Sequence, residues 1–429
     1  MDKSRKIAFK TLGCRLNQYE SDALISEFRH RGYEVVLFDQ LADVYVVNTC
    51  TVTNQSDHKS RNMINQVIRR NGNSVVIVTG CMVNHYKNIM EQQAGITYAV
   101  QNDRKSSIVS LVEAHFNGEV TSPDLFPADK FHFPLTDNSL HTRSLIKIQD
   151  GCDNYCSYCI IPKVRGRAVS RPLDEILENI RRLVDTGFKE VVLTGVNIGR
   201  YQYENENFED LVEKITGLPG DFRLRISSIE PEGFGEKLFD LFAHPKLTPH
   251  LHLCLQSGSD NILKKMHRKY DVKAFMGMME NIRKRYPDFN FTTDIIVGFP
   301  GETEEDFLQS AEIVRQARFS HIHTFKFSKR DGTLAARMEN QVSDVVKTER
   351  SRIIREISQE NKLKYYRSML GKQQKVLIEK EGKNFSMGYG QHYLPVRVCR
   401  KVSNNSMVKV LLTDIDEGEN KPVLVGRIM

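Results

Sequence analysis

The sequence predicts an α/β protein in three parts: an N-terminal open parallel α/β sheet, a central incomplete (β/α)6 barrel and a small C-terminal antiparallel β-barrel. Three observations predict it. Short apolar runs alternate with amphipathic helical stretches over residues 7–78 and again over about 145–327, and such alternation builds parallel sheets covered by helices. Between the two series, residues 119–141 contain Pro123, Pro127 and Pro134 and show no sustained period. After a charged helix that ends near Tyr366, short strands with turn-rich links replace the alternation. The chain therefore divides into an N-terminal domain at 1–118, a linker at 119–141, a core at 142–366 and a barrel at 367–429.

Bulk properties narrow the class. A length of 429 residues suggests two or three domains. A hydrophobic content of 40% with 27% charged residues is ordinary for a soluble globular chain. No run of 18 apolar residues predicts a membrane span, and the first residues lack the apolar stretch of a signal peptide, so we expect a cytoplasmic protein without a membrane partner. A formal charge of +7 permits nucleic acid as a partner without requiring it. Eight cysteines in a reducing compartment point to metal binding or catalysis more than to disulfides.

In order along the chain, residues 7–11 read as a strand. A helix follows from about Asn17, with Asn17 as its cap, Glu20 placed for a capping box and Gly32 at its exit. Residues 35–38 and 44–47 are short buried strands, 56–70 a polar helix and 75–78 another strand. The second series has strands at 145–149, 191–194, 224–227, 251–255, 292–297 and 322–327, with helices between them such as 173–184 and 305–317. Six such units wrapping with one hand make a barrel or part of one. The last series has strands at 375–378, 393–398, 407–412 and 424–427, linked through turns near 381–384 and 416–418.

The strongest chemical signal is Gly151-Cys152-Asp153-Asn154-Tyr155-Cys156-Ser157-Tyr158-Cys159, directly after the first strand of the second series. Three thiolates spaced C-x3-C-x2-C can bind a four-iron cluster and leave one iron without a protein ligand, an open position of the kind catalytic metals keep. The competing reading is a zinc knuckle, which needs a fourth Cys or His that residues 150–171 do not offer. This loop resembles that of the radical S-adenosylmethionine superfamily. The resemblance implies that the free iron chelates the cofactor's methionine part, whose sulfonium bond is then cleaved to a 5′-deoxyadenosyl radical.

Cys14, Cys50 and Cys81 each follow a strand of the first series, and two of them are preceded by glycine. Strand carboxyl ends share one edge of a parallel sheet, where ligands bind, so these cysteines can converge on a second three-thiol site. The competing reading is three separate buried structural cysteines. Cys254 and Cys399 join neither set and read as core or surface residues.

Two such triads followed by a small barrel resemble the methylthiotransferase family, whose architecture is an auxiliary-cluster domain, a radical S-adenosylmethionine core and a nucleic-acid-binding barrel of the TRAM type. Ile160-Ile161-Pro162, Arg165-Gly166-Arg167 and the stretch from Asp294 to Glu302 also match, as does Ser328-Lys329-Arg330-Asp331-Gly332-Thr333, in which Lys329 is an unusual filler. The resemblance implies two 4Fe–4S clusters, held by Cys14, Cys50 and Cys81 and by Cys152, Cys156 and Cys159, together with S-adenosylmethionine. One cofactor molecule would methylate a sulfur at the first site. A second would supply the radical that takes hydrogen from carbon 2 of an adenine, a position beyond side-chain acid–base chemistry.

Candidate cofactor contacts lie after strands of the second series, at the end where barrel active sites form: Thr194 and Gly195, Ser228 and Glu230, Gln256, and Gly298. Glu230 can accept hydrogen bonds from the ribose or amino group, and Gly298 can let the adenine approach the backbone. Ordinary loop polarity is the alternative for each. From Arg367 onward, eleven Lys and Arg stand against six Asp and Glu, which accounts for five of the chain's seven net positive charges. Arg397, Arg400 and Lys401 with Tyr389, His392 and Tyr393 can grip phosphates and stack bases, or can be a plain solvated surface.

Within the family, Lys10-Thr11-Leu12-Gly13-Cys14-Arg15-Leu16-Asn17-Gln18 and Thr49-Cys50-Thr51-Val52-Thr53 look most like the branch acting on N6-threonylcarbamoyladenosine at position 37 of the tRNA anticodon stem-loop. Arg15-Leu16-Asn17 stands where the isopentenyladenosine branch has Gln-Met-Asn. Isopentenyladenosine tRNA and an aspartate of a ribosomal protein remain alternative substrates, and a non-catalytic iron–sulfur RNA-binding protein is the alternative of another class. The threonylcarbamoyl carboxylate calls for an Arg or Lys in its pocket. An external electron donor and a monomeric state complete the expectation.

Overall fold

The structure is a computed structural model that describes residues 4–119, 121–133, 142–418 and 422–429. Parts of the expected linker (residue 120 and residues 134–141) lie outside the described residues, as do Glu419 and Lys421 of the last barrel. The chain forms two compact units. One comprises Met1–Leu140, Gln149–Arg171 and Ser328–Thr333; the other comprises His141–Ile148, Pro172–Phe327 and Leu334–Met429.

The first unit is built on a parallel sheet of β1 (Lys6–Thr11), β2 (Glu34–Val36), β3 (Val44–Thr49), β4 (Val75–Gly80) and β5 (Tyr98–Val100), in the order β2-β1-β3-β4-β5. β3 and β4 are buried along their whole length, as their near-continuous Val and Ile runs require of strands covered on both faces. Helices α1 (Arg15–His30), α2 (Asn54–Arg70), α3 (Cys81–Gln92) and α4 (Ile108–Phe116) complete it. The strand order reverses between β1 and β3, and the crevice outside the carboxyl ends at such a reversal is where open α/β sheets bind ligands. The stretch expected as a linker is packed against this unit where it is described: Arg104 donates to the Phe126 carbonyl at 3.0 Å and Lys87 pairs with Asp124 at 2.8 Å.

One reading of the sequence is corrected at α1. The helix starts at Arg15 with Cys14 at the cap position and no side-chain cap. Asn17 and Glu20 are buried instead, because buried partners claim them: the Leu12 and Thr49 carbonyls and Arg165 for Asn17, and Lys105 and Arg165 for Glu20.

The second unit carries an open run of parallel strands: Arg143–Lys147, Glu190–Thr194 and Arg223–Ile226, then Ser228–Ile229, His250–Leu253, Asn290–Val297 and His321–Lys326. The run 223–229 belongs to both sheets, its first part pairing with Glu190–Thr194 and its end with His250–Leu253, so six strand positions curve into a partial barrel. Alternation divides each strand. Leu251, Leu253, Phe291, Ile295, Val297 and Ile322 are buried toward the helices. Arg225, Glu190, His250, His252, Asn290, Thr292 and Asp294 take the lumenal positions.

The C-terminal module is a closed barrel in the order Gln373–Glu381, Ser386–Gly390, Pro395–Val398, Val423–Ile428, Met407–Asp416. Its seams are antiparallel except that Pro395–Val398 and Val423–Ile428 run parallel. Ser386–Gly390 is a strand the sequence did not predict. Its glycines disguise it, and Gly388 is needed because a Cβ there would lie 2.0 Å from the Leu377 carbonyl oxygen of the neighbouring strand.

This module packs on the amino ends of the barrel strands. Arg223 donates to the Lys375 and Tyr389 carbonyls at 2.9 Å each, and Asn290 donates to the His392 carbonyl at 2.7 Å. Tyr393 lies 4.8 Å from the His250 ring and 5.1 Å from the Tyr389 ring. The guanidinium of Arg225 covers Tyr393 at 4.5 Å, and that of Arg143 covers Tyr389 at 4.9 Å. The expectation that Tyr389, His392 and Tyr393 stack RNA bases is therefore corrected, since the two tyrosine rings are spent on the seam with the larger barrel and the buried His392 ring bonds Gln374.

Candidate active site

The sheet register explains how distant cysteines meet. Thr49 at the end of β3 pairs with Gly80 at the end of β4, so Cys50 and Cys81 leave the same edge side by side. β1 ends opposite β3, and Gly13 brings the Cys14 turn against Cys50: a Cβ on Gly13 would stand 2.8 Å from the Cys50 Cβ and 3.0 Å from its Sγ. Gly13 also has φ +100°, which favours glycine. Cys50 and Cys81 are buried and Cys14 is exposed. Burial pushes the Cys50 thiol up to about 11, and the neighbouring Cys81 and Cys14 thiols add to the rise. Burial also raises the Cys81 thiol, opposed by the positive charge of Arg165.

A buried polar network backs these thiols. Asn17 donates to the carbonyls of Leu12 and Thr49 at 2.8 and 3.0 Å, and Asn48 donates to the Asn17 carbonyl at 3.0 Å. Glu20 receives the Lys105 ammonium, which also reaches Asn48 at 3.2 Å. Burial lowers the Lys105 ammonium, with Glu20 opposing. Asn102 donates to the Cys81 sulfur at 3.8 Å and to the Val164 carbonyl at 3.2 Å.

The C-x3-C-x2-C loop belongs to the same compact unit as these thiols. It is gripped at its base: Gln149–Asp150 pairs antiparallel with Val169–Ser170, and the Cys152 amide donates to the Gly166 carbonyl at 3.1 Å. Gly151 has φ +73°, and a Cβ there would lie 1.9 Å from the Arg167 carbonyl oxygen. Tyr155, at φ +45°, turns the loop between its first two cysteines. The Asn154 amide donates to the Cys152 sulfur at 3.4 Å, and Cys159 closes a turn onto the Cys156 carbonyl at 3.0 Å. All three cysteines are partly accessible. Three thiols that retain access to solvent, one of them meeting an amide donor, suit cluster ligation better than a closed structural site.

Two arginines whose sequence signal was only a family-like motif turn out to hold the auxiliary loops. Arg165 donates to both Asp150 oxygens at 3.0 and 3.1 Å, to Glu20 at 3.2 Å and to Asn17 at 2.7 Å. Arg330 donates to Asp57 at 2.9 Å and to Asn54 and the Thr51 hydroxyl at 2.7 Å, securing the segment that follows Cys50. Both are buried. No periodicity announces such residues.

The candidate cofactor contacts all lie in the second unit, at the carboxyl ends of its strands. Thr194 is buried, and its carbonyl accepts from the Ile148 amide at 3.0 Å. Gly195 is half-buried, and Ser228 is exposed. Glu230 pairs with Arg268, so its carboxylate already has a cation. Gln256 is held at φ +66° between Asp294 and Ile296 by backbone hydrogen bonds of 2.9 Å each. Gly298 has φ +72°, and the space beside its Cα is filled by Lys347, whose Cγ would lie 2.3 Å from a Cβ. Lys347 thus takes the side that a side chain at 298 would occupy, and the Gly298 amide donates to Glu302 at 2.6 Å.

The lumen also holds a group that the sequence reading did not assemble. His252, Cys254 and Asp294 present ligand atoms within 4.8 Å of one another, and the His252 ring bonds Asp294 at 3.1 Å and Thr292 at 2.9 Å. Cys254 is therefore a lumenal residue beside charged neighbours. Asp294 is opposite His323 in register and Thr292 opposite His321, so the wall of this half-barrel is polar. Strict strand alternation of His and apolar residues at 250–254 was the signal that could have found it.

The profile of the Radical SAM superfamily matches residues 146–314, and that of uncharacterized protein family UPF0004 matches residues 6–100. A radical S-adenosylmethionine methyltransferase from Kitasatospora setae, solved with cobalamin and a 4Fe–4S cluster, shares the fold with a TM-score of 0.56 at 16% identity, covering 75% of each chain. Fold and loop together define a radical S-adenosylmethionine protein. The threonylcarbamoyladenosine tRNA methylthiotransferase of Thermotoga maritima is 38% identical over 91% of this chain and 90% of its own. The tRNA-2-methylthio-N6-dimethylallyladenosine synthase of Methylacidiphilum infernorum is 31% identical over 96% of both. This chain belongs to the radical S-adenosylmethionine methylthiotransferase family and groups with its threonylcarbamoyladenosine tRNA members. Among the described residues no helix is long and apolar enough to cross a membrane.

Proposed function

We propose that this protein transfers a methylthio group to carbon 2 of N6-threonylcarbamoyladenosine in the anticodon stem-loop of tRNA. The observation that carries the chemistry is that two three-cysteine sets, each backed by hydrogen-bond donors, fold into one compact unit. The substrate is supported by full-length relatives named for threonylcarbamoyladenosine at 34–38% identity, against 31–33% for those named for dimethylallyladenosine. The domain division at 1–118, 119–141, 142–366 and 367–429 is part of the proposal. The matched profiles at 6–100 and 146–314 support it.

Cys14, Cys50 and Cys81 are the residues we assign to one 4Fe–4S cluster, and Cys152, Cys156 and Cys159 to the other. The donor sets fit: each offers three thiols, near a cation at the first set and with a backbone amide on the Cys152 sulfur at the second. When bound, the clusters and S-adenosylmethionine supply the electron, the radical that removes hydrogen from carbon 2 and the methylated sulfur that replaces it. The chain's own contribution is placement. Gly13, Asn17 and Arg330 fix the turns that carry Cys14 and Cys50, while Gly151 and Arg165 fix the loop that carries Cys152. Asp294, held to His252, gives the lumen a fixed hydrogen-bonding wall. Thr194, Gly195, Ser228, Glu230, Gln256 and Gly298 remain the proposed cofactor contacts, Glu230 through the carboxylate it shares with Arg268 and Gly298 through its backbone. Exposed cations of the terminal barrel are the proposed tRNA grip. The enzyme works in the cytoplasm as a monomer with an external electron donor.

The test is anaerobic reconstitution with iron and sulfide, then reaction with S-adenosylmethionine, dithionite and tRNA bearing threonylcarbamoyladenosine, read by nucleoside mass spectrometry. A gain of one methylthio group on that nucleoside is expected. Formation of 5′-deoxyadenosine without product, together with methylthiolation of isopentenyladenosine tRNA, would move the substrate to the other branch.

A further inference from the structure

Arg165 is 3% exposed and sits six residues after Cys159. Its guanidinium draws together residues from both cysteine-bearing segments. Asp150 precedes Cys152 by two positions, whereas Asn17 and Glu20 stand in the first turns of the helix that begins after Cys14. Its backbone is tied just as firmly. Asn102 spans the Val164 carbonyl and the Cys81 sulfur, Lys130 donates to the Arg165 carbonyl at 2.7 Å, and Cys152 hangs from the Gly166 carbonyl. Displacing this one side chain moves the supports of both thiol sets.

The charge count around it is unusual for a purely structural bridge. Two cations, Arg165 and Lys105, face two carboxylates, Glu20 and Asp150, all four within the buried interior. Ion pairs sealed this deeply cost more to desolvate than they return, so stability alone is a weak reason to keep them. The guanidinium bonds Asn17, whose amide holds the Thr49 carbonyl next to Cys50, and Asn102 links the Cys81 sulfur to the Val164 carbonyl that precedes Arg165, so the charge sits beside this thiol set. A cation beside a cluster sulfur favours the more negative, reduced state, and charge and hydrogen bonding at the sulfurs are what set cluster potentials.

We infer that Arg165 is a positioning residue that locks the two thiol loops to each other and raises the reduction potential of the group held by Cys14, Cys50 and Cys81. This rests on the proposed reading that those cysteines hold an iron–sulfur cluster. Lysine at 165 retains the charge but cannot span Asp150, Glu20 and Asn17 at once, since an ammonium lacks the planar fork.

The experiment uses reconstituted full-length enzyme as wild type, R165K, R165Q and C14A/C50A/C81A. Iron and sulfide are counted first, then each protein is titrated reductively and followed by electron paramagnetic resonance. R165Q is expected to move the potential assigned to the Cys14/Cys50/Cys81 site to a more negative value. R165K is expected to keep the wild-type potential while its yield of methylthio product per 5′-deoxyadenosine falls several-fold. If R165Q fails to retain iron, R165K decides: a wild-type product ratio there overturns the inference. A wild-type potential in iron-replete R165Q overturns it as well. Equal iron in wild type and C14A/C50A/C81A would instead sink the cluster reading beneath it, a result that does not depend on Arg165.

Discussion

Two arginine clusters in this molecule use the same chemistry to different ends. Around Glu190, at the amino end of the half-barrel, Arg225 pairs at 2.8 Å, Arg223 pairs closely, and Arg143 stands 4.0 Å away while bonding Glu379 at 2.7 Å. Burial alone would raise the Glu190 carboxyl, but the three guanidinium groups outweigh it and hold it far below the usual carboxylate range. Donors left over go to carbonyls of the terminal module and to tyrosine faces. That cluster is closed by protein on the sides these contacts define. The Arg165 cluster has acceptors of its own, yet it borders thiols whose burial makes them poor anions without a further positive partner. The difference separates a joint from a site: one set of charges is completed by the chain, and the other is arranged around something the chain does not supply.

The largest effects should come from the thiols. C156A is expected to abolish both 5′-deoxyadenosine formation and methylthio transfer. C81A is expected to abolish transfer and lower the iron content by about half, with 5′-deoxyadenosine formation still measurable. Retention of product by C81A, measured by nucleoside mass spectrometry, would erase the distinction drawn above, because Cys81 would then be one more buried structural thiol.

At the joint, the expected cost is in stability. E190Q leaves Arg223 and Arg225 buried with an uncharged partner, and breaking such a pair costs about 3–5 kcal/mol. Urea unfolding should show that loss while the fraction of bound iron stays at the wild-type level. An unchanged midpoint would mean that the Glu190 cluster is solvated or redundant and that the two regions are not opposites.

How far the sequence revealed these two regions follows from what each is made of. Alternation exposed the parallel sheets, because strands covered on both faces read as Val and Ile runs, as at residues 75–78. The six cysteines were legible because thiols are scarce and their spacing is chemical. Their supports were not. Asn17 and Glu20 fit a capping box as well as they fit a buried network, and local pattern cannot distinguish a helix-end partner from Arg165, which lies 148 positions from Asn17. Glu190, Arg223 and Arg225 were invisible for the same reason. Charged residues at strand ends read as solvent-facing until the terminal module is known to cover them. The glycine-rich strand Ser386–Gly390 was missed because its backbone, and not its side chains, meets its neighbour.

A smaller effect sharpens the seam further. Burial lowers the His392 imidazole to about 4; Asp288 opposes this, and Lys372 and Arg225 add to it. Its folded value lies below the unfolded one near 6.5, so protons bind the unfolded chain first. Stability is then complete above about pH 6.5 and declines as pH falls toward 4. Between pH 7 and pH 5 the loss is about 2 kcal/mol, and H392Q should remove most of that dependence in urea titrations at the two pH values. Retention of the full slope by H392Q would place the titrating group elsewhere.

The smallest change should fall on the outer surface of the same terminal module, where Lys383 and Arg400 are exposed. If the rings of Tyr389 and Tyr393 belong to the seam, tRNA must be held through surface cations. Each phosphate that is no longer neutralised then lowers the dependence of log affinity on log salt by about 0.7–0.9. K383Q and R400Q should each weaken tRNA binding and flatten that slope by roughly this amount, with an unchanged melting temperature. Y393A should do the reverse. Stacked on Tyr389, packed against His250 and covered by Arg225, the ring contributes through packing, so its removal lowers the unfolding midpoint and leaves the salt slope alone. Should Y393A instead weaken tRNA binding at every salt concentration without loss of stability, the ring would be a base-stacking platform after all, and the seam would have to open to expose it.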